Sequence, residues 1–581
     1  MAVTRRQFMK VSAAGLAASS VGALGFLGAG EGLAAGVRPF RLEKATETRN
    51  TCPYCAVACG VLVYSTADGT KDAKPKVIHI EGDSDNPINR GTLCPRGAAS
   101  LGFLHSPNRL QYPMHRKPGS DKFERVTWDF AMERIAKLAK EDRDKNFVAK
   151  NRDGVTVNRW LTTGFFAGSS CSNEAGYLSF TNSSRVIQWH WKAVDGPAES
   201  RSDIQIIADL HSRLRALYTK EGGAFPDAIV NTSWNYAKPA HPEPVELLKE
   251  INGYAIEDLP DPADPTKTML KAGQLLPTFG VMRDDGKTSG ACWIFTGVYT
   301  EAGNMSMRRD ASDPTGLGIH PNWGFSWPAN RRILYNRASA DPTGKAWSER
   351  KKYITWNGSR WVGGDVPDYA PTMAPDKSVG PFIMNQEGTA RIFARGAMPD
   401  GPFPEHYEPM DAYIANPLHP KVTTNPVVRV FAADAKSFGT PDKFPIVATS
   451  YRLAEHFHYW TKNVHDNAVL QPEMFVEMGE RLAKAKGIKN GDWVEVSSQR
   501  GMIKAKASVS KRFRPIMVDG KPCDVIGLPI HYGFIGLTRK SYPLNTLTPS
   551  VGDASTNTPE YKAFLVDVKK TTPPASQPAT V

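Results

Sequence analysis

Four cysteines constrain this chain more than any other feature. Cys52, Cys55 and Cys59 lie within TCPYCAVACG (51–60), and Cys94 follows in GTLCPRG (91–97), giving the spacing Cys52-x2-Cys55-x3-Cys59-x34-Cys94. Thiols crowded as C-x2-C-x3-C are awkward to pair with one another, and a chain of 581 residues buries a core that needs no disulfide staples. A structural zinc site would also take four thiolates, but zinc modules usually present two C-x2-C knuckles, and here the second half is a single Cys. Three clustered thiolates with one distant partner is how a cubane iron-sulfur cluster is commonly held, each iron taking one thiolate. The spacing therefore favours an iron-sulfur cluster over zinc and over disulfides. Gly60, Gly91 and Gly97 leave the backbone room to approach the sulfurs and donate N–H bonds to them. Cys171, Cys292 and Cys523 are isolated from one another and read as buried small hydrophobes.

Residues 1–35 read as a targeting segment. TRRQFMK (4–10) precedes VSAAGLAASSVGALGFLGAG, a weakly hydrophobic Ala/Gly/Ser-rich run with a small-residue exit near Ala34 and Ala35. This is the pattern of a twin-arginine signal peptide, by which a protein already folded around a cofactor is exported. No second run is long and apolar enough to span a bilayer, so the expectation is a mature chain in the periplasm. The net charge is +13, yet the basic residues are scattered without a dense Lys/Arg tract, which argues against nucleic acid and for a solvated basic surface.

Along the rest of the chain, residues 45–110 alternate short apolar runs with Gly/Asp turns, as a small β domain does. Thr127 is expected to cap a helix with Ala131, Ile135 and Leu138 on its apolar face, the first helix of an α/β layer spanning 111–180. Residues 200–220 predict a second helix, with Ile204, Ile207, Leu210 and Leu214 at helical spacing. Residues 181–440 carry the remainder of the α/β region and, from 250, a Pro-, Gly-, Asp- and Trp-rich stretch expected to form ordered loops with short elements. Trp189, Trp191, Trp323 and Trp327 read as packing or interface anchors. In 441–568, FPIVATS, DWVEVSSQRGMIKAKASVS and DVIGLPIHYGF are strand-like pieces separated by turns, consistent with a β-barrel, and 569–581 is a tail. The fold class is thus α/β plus β.

Taken together, TCPYCAVACG, IEGDSDNPINRGTLCPRG (80–97), YRLAEHFHYWTKN (451–463) and NTLTPSVGDASTNTPEYKAFLV (545–566) resemble the molybdopterin oxidoreductase superfamily. More narrowly, they resemble the large subunit of respiratory formate dehydrogenases of the formate dehydrogenase-N type. The segments DGVTVNRWL, RRILYNRASADP, GPFIMNQEG and GPFPEHYEP fit the same subunit, so the resemblance covers 45 to about 568. It implies a small N-terminal iron-sulfur domain, an α/β middle and a C-terminal barrel of the molybdopterin dinucleotide-binding type. The implied cofactors are a four-iron four-sulfur cluster on Cys52, Cys55, Cys59 and Cys94, and molybdenum bound by two molybdopterin guanine dinucleotides. Arg96 stands where the family usually has a Lys bridging cluster and pterin, which keeps the charge and adds donors. Arg452, His456, His458, His531, Asn545 and Lys562 fall in the matching blocks as pterin and phosphate contacts. The implied activity is oxidation of formate, with electrons passing to an iron-sulfur beta subunit and a membrane cytochrome b gamma subunit.

The resemblance breaks once. After GSSCSNEAGYL, ending at Leu178, the family continues with the dinucleotide-binding layers and the Cys or selenocysteine that ligates molybdenum, followed by a catalytic His. Here the chain passes directly to SFTNSSRVIQWHWK, and no Cys is followed by His anywhere. Two expectations follow: a formate dehydrogenase large subunit, or an inactive remnant that serves as iron-sulfur electron carrier or scaffold.

Overall fold

The computed structural model describes residues 42–55, 57–66, 74–164, 178–179, 188–232, 234, 236–290, 295–314, 316–318, 320–324, 339–364, 371–377, 399, 405–431, 434, 436–533, 536–554 and 557–574. The signal-like segment 1–35, Cys171, Cys292, Trp327 and GPFIMNQEG lie outside them. The chain groups into two compact units, one from Met1–Leu93 and Leu110–Arg331, the other from Cys94–Arg109 and Arg332–Val581. Cys94–Arg109 therefore clusters with the C-terminal half, although the sequence reads 45–110 as one domain.

The first unit opens with an antiparallel meander, β1 (Thr46–Thr51), β2 (Gly60–Thr66) and β3 (Lys76–Gly82). Its register pairs Thr51 with Gly60 and Val61 with Gly82. Val61, Val63 and Tyr64 are buried in β2, the central strand. Helix α1 (Trp128–Asn146) starts as expected at Thr127, whose hydroxyl accepts from Phe130 N. Its buried face differs from the expectation: Met132, Ala136 and Arg143 are buried, whereas Ile135 and Leu138 are exposed. The neighbour on α1 is helix α2 (Asp203–Glu221), which begins in a capping box built by Ser202 and Gln205. The α1–α2 contact is organised by polar groups: Arg143 Nη1 donates to Tyr218 Oη at 3.1 Å, and Tyr218 Oη donates to Asp144 Oδ1 at 2.9 Å. That network turns α1 so that its aliphatic stripe faces away from α2. On α2, Tyr218 is buried and Ile204, Leu210 and Leu214 are half-buried, but Ile207 is exposed.

Every strand pair of this unit among the described residues is antiparallel, and beyond the meander each is a two-stranded ribbon. Trp189 packs with Leu248 and Val298, and the Arg309 guanidinium lies over the rings of Trp191 at 4.8 Å and Trp323 at 5.4 Å. These tryptophans are packing anchors, as read from the sequence.

The second unit is built on a closed six-stranded barrel. Its strands are β4 (Ile446–Tyr451), β5 (Phe475–Gly479), β6 (Trp493–Ser497), β7 (Met502–Ser510), β8 (Val525–Pro529) and β9 (Phe564–Lys570), ordered β4-β8-β5-β7-β6-β9. Alternation marks β4, β6 and β7, where Ile446, Ala448, Val494, Val496, Ile503, Ala505 and Ala507 are buried and their neighbours are not, whereas β5, β8 and β9 are buried at successive positions. Closure leaves no strand edge unpaired. A buried ion pair braces it from outside the strands, with Arg500 Nη2 2.6 Å from Asp411 Oδ2, while Asp411 also accepts from Gly439 N and Leu565 N. Among the described residues no helix is long and apolar enough to cross a membrane.

Candidate functional site

Residues 52–59, which carry three of the cysteines, form the connection between β1 and β2. The loop is closed on itself: Cys52 N donates to Cys59 O at 2.8 Å, and Ala58 N donates to Cys55 O at 3.1 Å with Ala58 at φ +53°. The left-handed turn at Ala58 curls C-x3-C tightly instead of letting it run on as strand. Cys52 is buried, and Cys55 and Cys59 are half-buried.

The loop is gripped from the DSDNPINRG segment. Asn89 Oδ1 accepts from Gly60 N at 2.9 Å, while Asn89 Nδ2 donates to Gly60 O at 3.0 Å and to Thr92 O at 3.0 Å. Asn86 is fully buried beside Gly60, and a Cβ at Gly60 would collide with its side chain. Gly60 is required by that close approach. These asparagines escaped the sequence reading, although two Asn spaced three apart in a Gly/Asp-rich return segment are a sign of a side chain completing backbone bonds.

Cys94 belongs to the second unit, where it heads the short helix Pro95–Ala98. Burial pushes its thiol up, but N–H donation from Gly97 and Arg96 and the Arg96 guanidinium charge outweigh this and hold it below its ordinary value. The segment docks on YRLAEHFHYWTKN. Phe103 stacks on Trp460 with ring centroids 5.7 Å apart, Ser106 Oγ donates to Asn463 O at 2.9 Å, and Asn467 Nδ2 reaches Pro95 O at 3.5 Å. Arg96 lies over the Phe457 ring at 5.9 Å, and its Nε is buried without a hydrogen-bond partner among the described residues.

Around Arg96 the unit gathers cations. The His458 and His531 ring centroids lie 4.3 Å apart with their planes tilted at 59°, and both residues have positive φ, +46° and +67°. Burial, together with the charges of Arg452, Lys462 and Arg96, lowers His458. Burial, then His458, Arg452 and Lys462, lowers His531 to about 4. The Nε2 of His531 is buried and has no hydrogen-bond partner among the described residues. Lys562 donates to Ser450 O at 2.7 Å and is lowered by burial and by Arg452.

The expected contacts divide by role. His456 uses both ring nitrogens inside the protein, Nε2 to Gln471 O at 2.8 Å and Nδ1 to Thr461 Oγ1 at 3.0 Å. Because the Gln471 carbonyl can only accept, Nε2 carries the proton and Nδ1 accepts from Thr461, a neutral tautomer that matches a pKa lowered by burial to about 4. His456 thus fixes the block. Arg452 is exposed, and its charge is felt at His458, His531 and Lys562. Asn545 is exposed on a 3-10 turn, Leu544–Thr546.

Sequence reasoning missed Lys462. Its side chain is almost completely buried, lies 4.3 Å from the centroid of the Tyr532 ring, and among the described residues donates only to His458 O at 3.2 Å. Burial lowers it to about 7. A lysine inside an aromatic- and histidine-rich block was the available signal.

Residues 45–106 match the family model of the Molybdopterin oxidoreductase Fe4S4 domain, a span that includes all four cysteines, and residues 446–565 match the Molydopterin dinucleotide binding domain. The formate dehydrogenase-O major subunit of Escherichia coli (strain K12) is 30% identical over 98% of this chain and 100% of its own length. The chain belongs to the formate dehydrogenase major-subunit family. The nitrate-inducible formate dehydrogenase major subunit of Escherichia coli (strain K12) is also 30% identical, over 98% of this chain and 100% of its own. Formate dehydrogenase 2 subunit alpha (cytochrome c-553) of Nitratidesulfovibrio vulgaris (strain Hildenborough) is 38% identical over 82% of this chain and 46% of its own. A solved structure, acetylene hydratase from Pelobacter acetylenicus, is similar at 12% identity and a TM-score of 0.36 over 90% of this chain and 100% of that one. The alignment with the formate dehydrogenase-O subunit spans 1019 positions against 581 residues here. Since that alignment takes in all of the relative and nearly all of this chain, the surplus is internal. A large central stretch of that relative has no counterpart in this formate dehydrogenase chain.

The donor sets fit the two cofactors these domains bind. Four cysteines match the one-thiolate-per-iron demand of a cubane cluster. The buried Arg96 Nε and His531 Nε2, unpartnered among the described residues and set in a cluster of basic groups, suit a phosphate-bearing pterin.

Proposed function

We infer that this chain is the large subunit of a periplasmic, molybdenum-dependent formate dehydrogenase. Cys52, Cys55, Cys59 and Cys94 hold the four-iron four-sulfur cluster. Arg96, Arg452, His458, His531, Asn545 and Lys562 receive the pterin and its phosphates, and His456 keeps their block in shape. When bound, molybdenum supplies the two-electron oxidation of formate to carbon dioxide, and the cluster carries the electrons onward. Electrons leave through an iron-sulfur beta subunit and a membrane cytochrome b gamma subunit.

The carrying observation is that Cys94 and the cation cluster meet at Arg96. Its side chain supports the Cys94 thiolate, and its charge is felt at His458. Arg96 thus lies between a cluster ligand and the basic group proposed for the pterin, which suits a relay. The twin arginines Arg5 and Arg6 support export by the folded route. Changing both to Lys is expected to stop periplasmic accumulation, and unchanged accumulation would point to another route.

A second reading concerns turnover by the chain as it stands. The relative's central stretch has no counterpart here, and no Cys-His pair exists in the sequence to supply a sixth molybdenum ligand and a proton acceptor. Remote binding energy does not restore a lost metal ligand and base. On that reading the chain oxidises formate negligibly and acts as an iron-sulfur carrier or scaffold. Protein purified anaerobically, assayed for iron, molybdenum and formate-dependent reduction of an artificial acceptor, separates the two. Molybdenum with turnover supports the enzyme, whereas iron without molybdenum supports the remnant.

A further inference from the structure

Lys462 is a buried lysine with no carboxylate partner among the described residues. Its ammonium has a single hydrogen-bond acceptor among the described residues, the His458 carbonyl, and it forms no ion pair with any described carboxylate. Burial is what lowers it, and its charge is felt at His456, His458 and His531, with Arg452 and Arg96 also bearing on His458. Arg452, His456 and His458 come from the segment leading into its own 3-10 turn, Arg96 from the helix after Cys94, and His531 from the loop after β8. Tyr532 offers its ring face, and its hydroxyl is turned away to Gln471 O at 3.2 Å. The carboxylates felt at Tyr532 are Glu455 and Glu473, and Glu473 is already engaged by Lys506 at 2.8 Å and Arg539 at 3.1 Å. Desolvation disfavours the charged form of such an amine, and an anion arriving beside it shifts the balance back toward the ammonium.

We propose that Lys462 is the proton-accepting member of the anion site. A tetrahedral anion entering beside Arg96, His458 and His531 binds together with one solvent proton, which Lys462 takes up without leaving its seat over Tyr532. The proposal rests on the reading of this cluster as the seat of a phosphate-bearing cofactor, and it adds that loading the seat is linked to pH. With the anion absent, Lys462 titrates at about 7, so above that it is neutral and must gain a proton for the bound state. Affinity therefore falls by about tenfold for each pH unit above neutrality, until the bound-state pKa is reached.

The test uses the full chain and inorganic sulfate, whose own charge is constant across the range. Calorimetric titration at about pH 8 in two buffers of different ionisation enthalpy reads the protons taken up per anion, and close to one is expected for the unaltered protein. Lys462→Met is expected to remove most of that uptake. Lys562→Met is expected to weaken sulfate binding while leaving the uptake in place. Sulfate binding without proton uptake in the unaltered chain would overturn the role of Lys462 and leave the anion site standing. Absence of sulfate binding altogether would overturn both. The unaltered chain carries the decisive measurement even where Lys462→Met does not fold.

Discussion

Asn89 holds Gly60 by both sides of its backbone, accepting from Gly60 N at 2.9 Å and donating to Gly60 O at 3.0 Å. One buried side-chain amide thereby completes the peptide group that follows Cys59, and it fixes the exit of the cysteine loop to the return segment. Removing it leaves the buried Gly60 N–H unpaired, while Gly60 O keeps its bond from Asp83 N at 2.9 Å, a cost of about 1–3 kcal/mol. Asn89→Ala is expected to lower the unfolding midpoint and to reduce the visible absorption of anaerobically purified protein. Asn89→Asp, which keeps the acceptor, should fall between the two. An unaltered spectrum and midpoint in Asn89→Ala would show that the loop does not depend on this clamp.

Cys94→Ala is expected to abolish the broad visible absorption of the cluster or to convert it to a three-iron species, read by iron analysis and electron paramagnetic resonance. Cys523→Ala serves as the comparison. Cys523 is buried, its thiol is pushed up by burial, and the spectrum should not respond to its loss.

His456 predicts a pH dependence with a definite sign. Its folded-state pKa of about 4 lies below its ordinary 6.5, so between these values the unfolded chain binds more protons than the folded one. The stability tied to the neutral ring is fully present above about pH 6.5 and is lost as pH falls through about 4, where it amounts to about 3 kcal/mol. Thermal melts over that window should decline more steeply for the unaltered chain than for His456→Gln. Parallel curves would rule out the neutral, doubly bonded ring.

Breaking the Asp411–Arg500 pair in one direction only should be severe. Arg500→Met leaves Asp411, fully buried on its side chain, with two backbone N–H donors and no counter-charge, a cost of about 3–5 kcal/mol. Denaturant unfolding should show Arg500→Met well below Arg500→Lys, which keeps a positive charge beside Asp411. Equal losses would mean that packing, not charge, holds the two residues.

Local patterns were legible along the chain because they depend on neighbours in sequence. Thr127 and Ser202 mark helix starts through their own hydroxyls, and alternation in DWVEVSSQRGMIKAKASVS turns one face inward whichever strand lies alongside. The spacing of the cysteines limits their chemistry in the same way. What neighbours cannot specify is which face of an element meets a partner. The stripe Ala131, Ile135, Leu138 is a correct helical face, yet Arg143 and Tyr218 decided that α1 buries Met132 and Ala136 instead. Lys462 and Asn89 are ordinary polar residues in one dimension. Their roles arise when β8 brings His531 and Tyr532 against the 3-10 turn, and when the return segment closes over Gly60. Desolvation and the exclusion of opposite charge are properties of a packed interior, so only the tertiary structure could make a titrating site of that lysine and a clamp of that asparagine.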